Sequence, residues 1–257
     1  MRVLLVIALL GSRLFAADLL IQGALDWELG PLLNALEQKE KKHIGAWTFW
    51  TGRIGRKSVV LSRTEMGPIN AAAATALAIQ EFRPAAIINQ GTAGAHNPKL
   101  AVWDIVVGEK TKDYGAFESR HADEGAGIDH ARWTPAPHLL RLDNARLTSF
   151  SSFPGDANLV TAALQTPYKR GRVVKGTIGS AFEFNRELDR IKWLWQTYGT
   201  DSEDMESAFS AGVAAGMGVP FVAIRIISDS EWNHPNLEKG AGESCAQFVV
   251  DLVKTLK

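Results

Sequence analysis

Three carboxylates stand where apolar runs end. Arg225-Ile226-Ile227 reads as the close of a buried strand, with Ser228-Asp229 as its polar edge. Glu206 lies in Asp204-Met205-Glu206-Ser207, at the mouth of a helix of small residues, and Glu28 follows Gly23-Ala24-Leu25-Asp26-Trp27. Asn89-Gln90-Gly91-Thr92-Ala93-Gly94 ends a fourth apolar run. Carboxylates gathered at strand ends can divide acid and base chemistry between them, because burial raises the pKa of one while another stays ionised. Singly, each has a plainer reading. A glutamate in a first helical turn complements the helix dipole, and Ser-Asp after a strand makes a turn or a cap. The glycine-rich turn lacks both the phosphate-loop lysine and the dinucleotide spacing. On the residues alone, a catalytic cluster and a set of structural caps both stay open.

Positioning these groups falls to alternating strands and helices. Leu19 to Gly23 reads as a first short strand, and leucines at 29, 32, 33 and 36 predict a helix over 28–36. The charge run Lys39 to Lys42 fits an exposed helix end. Trp47 to Arg53 and Ser58 to Ser62 read as two strands about a GRIGRK turn, and Gly67-Pro68 opens an alanine-rich helix through Glu81. Ala85 onward reads as a fully buried strand breaking into a GTAG loop. Val102 to Gly108 and Val173 to Ile178 are further strands, Arg186 to Trp195 a helix, and residues 110–167 an irregular region. Asp204 is placed to cap a helix from Met205 to Met217, ahead of the strand Val219 to Ile227. The last helix carries Cys245, Phe248, Val249, Leu252, Val253 and Leu256 on one stripe, which makes Cys245 a core residue. Strands alternating with helices indicate one α/β domain with its site at the strand ends.

Composition narrows the partners. The 257 residues are 46% hydrophobic and carry 28 basic and 28 acidic side chains, enough for one sizeable core. That balance leaves no electrostatic footprint for nucleic acid or a membrane surface. One cysteine excludes an internal disulfide, and the six histidines show no ligand spacing, so neither metal nor cofactor is expected. Residues 1–17 have an early cation at Arg2, an apolar stretch from Val3 to Leu10 and small residues at Ala16-Ala17, the layout of an export signal. The expected location is therefore periplasmic or secreted, with 18–257 as the single domain.

INQGTAG, EDMES and VPFVAIRIISD together resemble the nucleoside phosphorylase and nucleosidase superfamily. GALDWE is similar to the first loop of the branch that hydrolyses methylthioadenosine and S-adenosylhomocysteine. The resemblance runs from about Leu19 to the C-terminus and is poor over 110–167. It implies a mixed central sheet, partly closed and flanked by helices, a homodimer, and a small-molecule purine nucleoside as substrate. It also implies roles. Asp229 would protonate purine N7, with Ser228 orienting its carboxyl. An ionised Glu206 would accept from the ribose hydroxyls, with Met205 along the sugar. Glu28 would activate the attacking water, Phe182 would stack on the base, and Thr92, Ala93 and Gly94 would border the reacting atoms. Trp27 stands where the family has an acid.

Phosphorylases of this superfamily hold phosphate with arginines, whose planar fork suits a dianion. Here Asn89 occupies one such position and the first loop has no cation. Hydrolysis of an adenine nucleoside is the leading expectation. A purine nucleoside phosphorylase, a hydrolase of another purine nucleoside, and a non-catalytic binding or storage protein are the alternatives.

Overall fold

The apolar runs become strands, and five of them close on one another. The computed structural model describes residues 16–142 and 146–256; the segment read as an export signal lies, up to residue 15, outside the described residues. In chain order the strands begin Leu19–Gly23 (β1), Glu37–Ile44 (β2), Trp47–Ile54 (β3), Lys57–Arg63 (β4), Ala86–Ala95 (β5) and Ile105–Asp113 (β6). Short pieces follow: Phe117–Glu118 (β7), Thr134–Pro135 (β8), His138–Leu142 (β9), Arg146–Phe150 (β10) and Phe153–Pro154 (β11). Val173–Ser180 (β12), Ser202–Asp204 (β13) and Phe221–Asp229 (β14) complete the set. The helices are Gly30–Ala35 (α1), Pro68–Phe82 (α2), Ala157–Gln165 (α3), Leu188–Trp193 (α4), Ser207–Gly216 (α5) and Gly240–Thr255 (α6).

β5 pairs with β14, β14 with β6, β6 with β12, β12 with β13, and β13 with β5 again, so these five form a closed barrel. From β5 the sheet runs on through β1, β4, β3 and β2. The sheet is mixed, since β5 and β14 are parallel while β13 meets β5 antiparallel. The expected mixed, partly closed sheet is thus what forms. Closure removes the edges of the central strands, which lets runs such as Phe221 to Ser228 be buried throughout.

Helices cover both sides. α6 lays its stripe onto the sheet with Cys245, Phe248, Val249, Leu252 and Val253 all buried. Each such Phe, Val or Leu contributes about 1.5–3 kcal/mol over leaving it in water. On the other side α2 packs against α5. Ala74 and Ala78 of one and Ala211 and Ala214 of the other are buried, as small facing residues allow. Trp103 and Phe117 pack within the chain: Trp103 against the α6 core with Arg170 over its ring, Phe117 against Tyr198, Trp193 and Trp133.

Several expected elements differ. Lys39–Lys42 lies in β2, an exposed outer strand paired with β3, rather than at a helix end. The leucine-spaced helix is split into a 3-10 turn, Asp26–Glu28, and the short α1. GTAG is no loop: β5 runs through it to Ala95 because β14 and β13 pair with it on either side. The region 110–167 holds short strand pairs and α3, whose N-cap Asp156 accepts from Asn158 N and Leu159 N.

Candidate active site

β1 ends at Gly23, and the 3-10 turn after it folds Glu28 back over its own N-terminus. Glu28 is buried, and its carboxylate accepts four hydrogen bonds. Ala24 N (2.9 Å) and Leu25 N (3.1 Å) reach Oε2, while Thr92 N and Thr92 Oγ1, both at 2.9 Å, reach Oε1. Gln90 Nε2 ties the turn to β5 by donating to Glu28 O at 2.6 Å. Glu28 and Thr92, 64 residues apart, therefore form one unit.

Asp229 reaches the site through a slip in register. Ile227 pairs with Ala93, yet Asp229 pairs with Gly94, so Ser228 is an extra residue in β14. Such bulges re-aim side chains beside functional sites. Ser228 Oγ donates to Asp229 Oδ1 at 2.7 Å, which leaves Oδ2 facing Gly94. Burial pushes the Asp229 carboxyl above the usual carboxylate range. The Ser228 hydroxyl offsets this in part, Glu203 and Glu231 add to it, and Arg186 opposes it. A carboxyl of this kind can hold a proton for delivery.

Glu206 and Asp204 come from the start of α5. That helix begins at Ser207, two residues later than expected. Asp204 ends β13 instead, its Oδ1 accepting from Glu206 N and Ser207 N, each at 3.2 Å, and from Ser180 Oγ at 2.5 Å. Asp204 Oδ2 meets the fully buried Arg225 Nε at 2.6 Å, and Arg225 also donates to Asn89 O and Asn89 Oδ1. Glu206 Oε1 accepts from Gly67 N at 2.8 Å; Gly67 has φ +98°, a conformation suited to glycine. Burial first, then Asp204, drives the Glu206 carboxyl up to about 8, against Arg225 and the Gly67 N–H. Burial thus works against the ionised form in which Glu206 was expected to serve.

These groups share one cavity of about 280 Å³, bordered also by Met205, Ala93, Gly94, Met66, Trp27 and Leu237. Eight of the nine residues expected at the site line it. Phe182 does not: the chain bends there, its ring lies against Gly67, and Phe184 lines the cavity in its place. Among the described lining residues six are Asp or Glu and none is Lys or Arg. Asn89 sits beneath, buried among Gln22, Ser210 and Arg225. Glu203, absent from the expected set, also lines the cavity. His96, Tyr114 and Asn185 all donate to it.

Fold and site together define an α/β protein with a closed five-stranded barrel and an acid-lined pocket at the strand ends. Residues 18–256 match the family model of the phosphorylase superfamily, and the chain belongs to that family, as INQGTAG, EDMES and VPFVAIRIISD implied. It is 30% identical to a 5'-methylthioadenosine/S-adenosylhomocysteine nucleosidase of Shewanella halifaxensis, covering 92% of this chain and 98% of the relative. A nucleosidase of the same name from Bacillus licheniformis is 28% identical over 91% of this chain and 97% of its own. Among solved structures, the Neisseria meningitidis 5'-methylthioadenosine/S-adenosylhomocysteine nucleosidase in complex with methylthio-immucillin-A superposes with a TM-score of 0.74. It shares 25% identity, over 93% of this chain and 99% of that one.

Proposed function

We propose that this chain hydrolyses the N-glycosidic bond of an adenine nucleoside such as methylthioadenosine or S-adenosylhomocysteine, releasing adenine. The observation that carries the reading is the pairing, across one cavity, of a carboxyl raised by burial (Asp229) with a carboxylate bound to the Thr92 unit (Glu28). The C1'–N9 bond breaks as Asp229 gives its proton to N7, so the base leaves neutral. Water adds at C1', and its proton passes to Glu28. Proton return from Glu28 to Asp229 through solvent restores the enzyme, and the sum is nucleoside plus water to adenine plus the free sugar. Glu206 and Met205 would hold the ribose.

All four lone-pair sites of Glu28 are taken as it stands. A water gains one when the Thr92 hydroxyl turns from Glu28 to the water, which gives Thr92 a place in positioning the nucleophile. Among the described residues, a phosphate dianion would meet six acidic side chains and no lining cation, which supports water over phosphate as the nucleophile. The family resemblance further supports a homodimer, for which the exposed Met66, Phe182, Phe184 and Leu237 at or beside the pocket mouth supply apolar surface. Export, resting on residues 1–17, belongs to the same proposal.

Asp229→Asn tests the acid. Base release is expected to fall by about a hundred- to ten-thousand-fold with the circular dichroism spectrum kept. Activity within a few-fold of the parent, in folded protein, would remove Asp229 from the chemistry.

A further inference from the structure

At Gly94 the barrel sets a second carboxylate opposite the acid. Gly94 pairs with Asp229 of β14 on one side and with Glu203 of β13 on the other. Residues in register across a sheet share a face, so two acidic side chains rise on either side of a residue that has none. A Cβ on Gly94 would stand 3.3 Å from Asp229 Oδ2 and 3.4 Å from Glu203 Oε1, which puts these oxygens within about 7 Å of each other. Both residues line the cavity.

Glu203 is committed as an acceptor. Its Oε2 receives His96 Nε2 at 2.9 Å, Tyr114 Oη at 2.8 Å and Asn185 Nδ2. Burial alone would push its pKa up, but the His96, Asn185 and Tyr114 donors hold it below the usual carboxylate range. Oε1, by contrast, accepts a single bond, from Asn185 N at 3.2 Å. An ionised carboxylate has lone pairs to offer and no hydrogen to give.

The next step rests on the reading of Asp229 as the acid at N7. The N7 edge of a purine carries one other polar group, the 6-substituent: an amino donor in adenine, an oxo acceptor in the 6-oxopurines. We propose that Glu203 reads this position, its Oε1 accepting from a 6-amino group and repelling a 6-oxo group, so that the chain selects 6-aminopurine nucleosides. His96, Tyr114 and Asn185 act as positioning residues that keep the carboxylate ionised and aimed. A Cβ at Gly94 would crowd the gap between the two acids, 3.3 Å from Asp229 Oδ2 and 3.4 Å from Glu203 Oε1.

The ligand side is tested on the unaltered protein by titration calorimetry with adenine, unsubstituted purine and hypoxanthine. Adenine is expected to bind at least about ten-fold tighter than purine, with hypoxanthine weakest. Equal affinity for adenine and hypoxanthine overturns the proposal. The protein side uses Glu203→Gln, whose amide both donates and accepts. The ratio of kcat/KM for methylthioadenosine over methylthioinosine is expected to fall about ten-fold or more, a shift that a merely structural role would not cause. An unchanged ratio in folded protein also overturns it. Should the parent release no base from any nucleoside, the hydrolase reading fails, while calorimetry with the free bases still decides the role of Glu203.

Discussion

At Glu206 burial sets a condition on substrate binding. Its carboxyl is raised to about 8 by desolvation and by Asp204, which favours the protonated form of the free site near pH 7. Accepting from two ribose hydroxyls, one on each oxygen, favours the anion, since protonation turns one oxygen into a donor. If the bound state is the anion, binding a non-hydrolysable adenine nucleoside at about pH 7 releases close to one proton, and the release fades above about pH 9, where the free site is already ionised. Titration calorimetry in two buffers of different ionisation enthalpy reads this number. No release at neutral pH would contradict the anionic role. Asp229, Glu28, Glu206 and Thr92 were legible in the sequence because each stands at an end of an apolar element within a recognisable segment. Glu203 was not, because its partners His96, Tyr114 and Asn185 come from distant parts of the chain. The pairing of Thr92 with Glu28 was hidden for the same reason. Phe182 stands off the cavity lining because its ring lies against Gly67, and Phe184 lines the cavity.

At the scale of elements, one buried ion pair ties the site's strands together. Arg225, midway along β14, reaches Asp204 at the end of β13 and Asn89 in β5, so one guanidinium bonds three strands of the barrel. Removing one partner leaves an uncompensated charge in the interior. Arg225→Met is expected to lower stability by about 3–5 kcal/mol, read as a shift of the urea midpoint with unchanged slope. A loss under about 1 kcal/mol would mean that the pair adds little to the barrel. The sequence signalled strands β1, β5, β12 and β14 well, since buried β-branched runs have few other folds. β2 escaped because all but the last of its residues are exposed and no alternation marks it; pairing with β3 decides its state. GTAG looked like a loop because small residues break local patterns, whereas two flanking strands hold it extended.

Over the whole molecule, the closed barrel gives the site its address. β1, β5 and β14 run parallel, so Glu28 after β1, Thr92 in the last part of β5 and Asp229 at the end of β14 gather on one side of the sheet, and β13 comes in antiparallel to add Glu203. Ligands of parallel α/β sheets bind beyond the carboxyl ends of their strands. Residues 110–167 were opaque because their short strand pairs serve this frame from outside and carry little periodicity. Among the described residues the cavity is lined by six acids and no Lys or Arg, which supports the proposed attack of water on C1'. The most direct test is adenine release from methylthioadenosine by the purified protein, measured with and without inorganic phosphate. The account predicts release at the same rate in both, with free methylthioribose as the other product. A rate that requires phosphate and yields a sugar phosphate would contradict it.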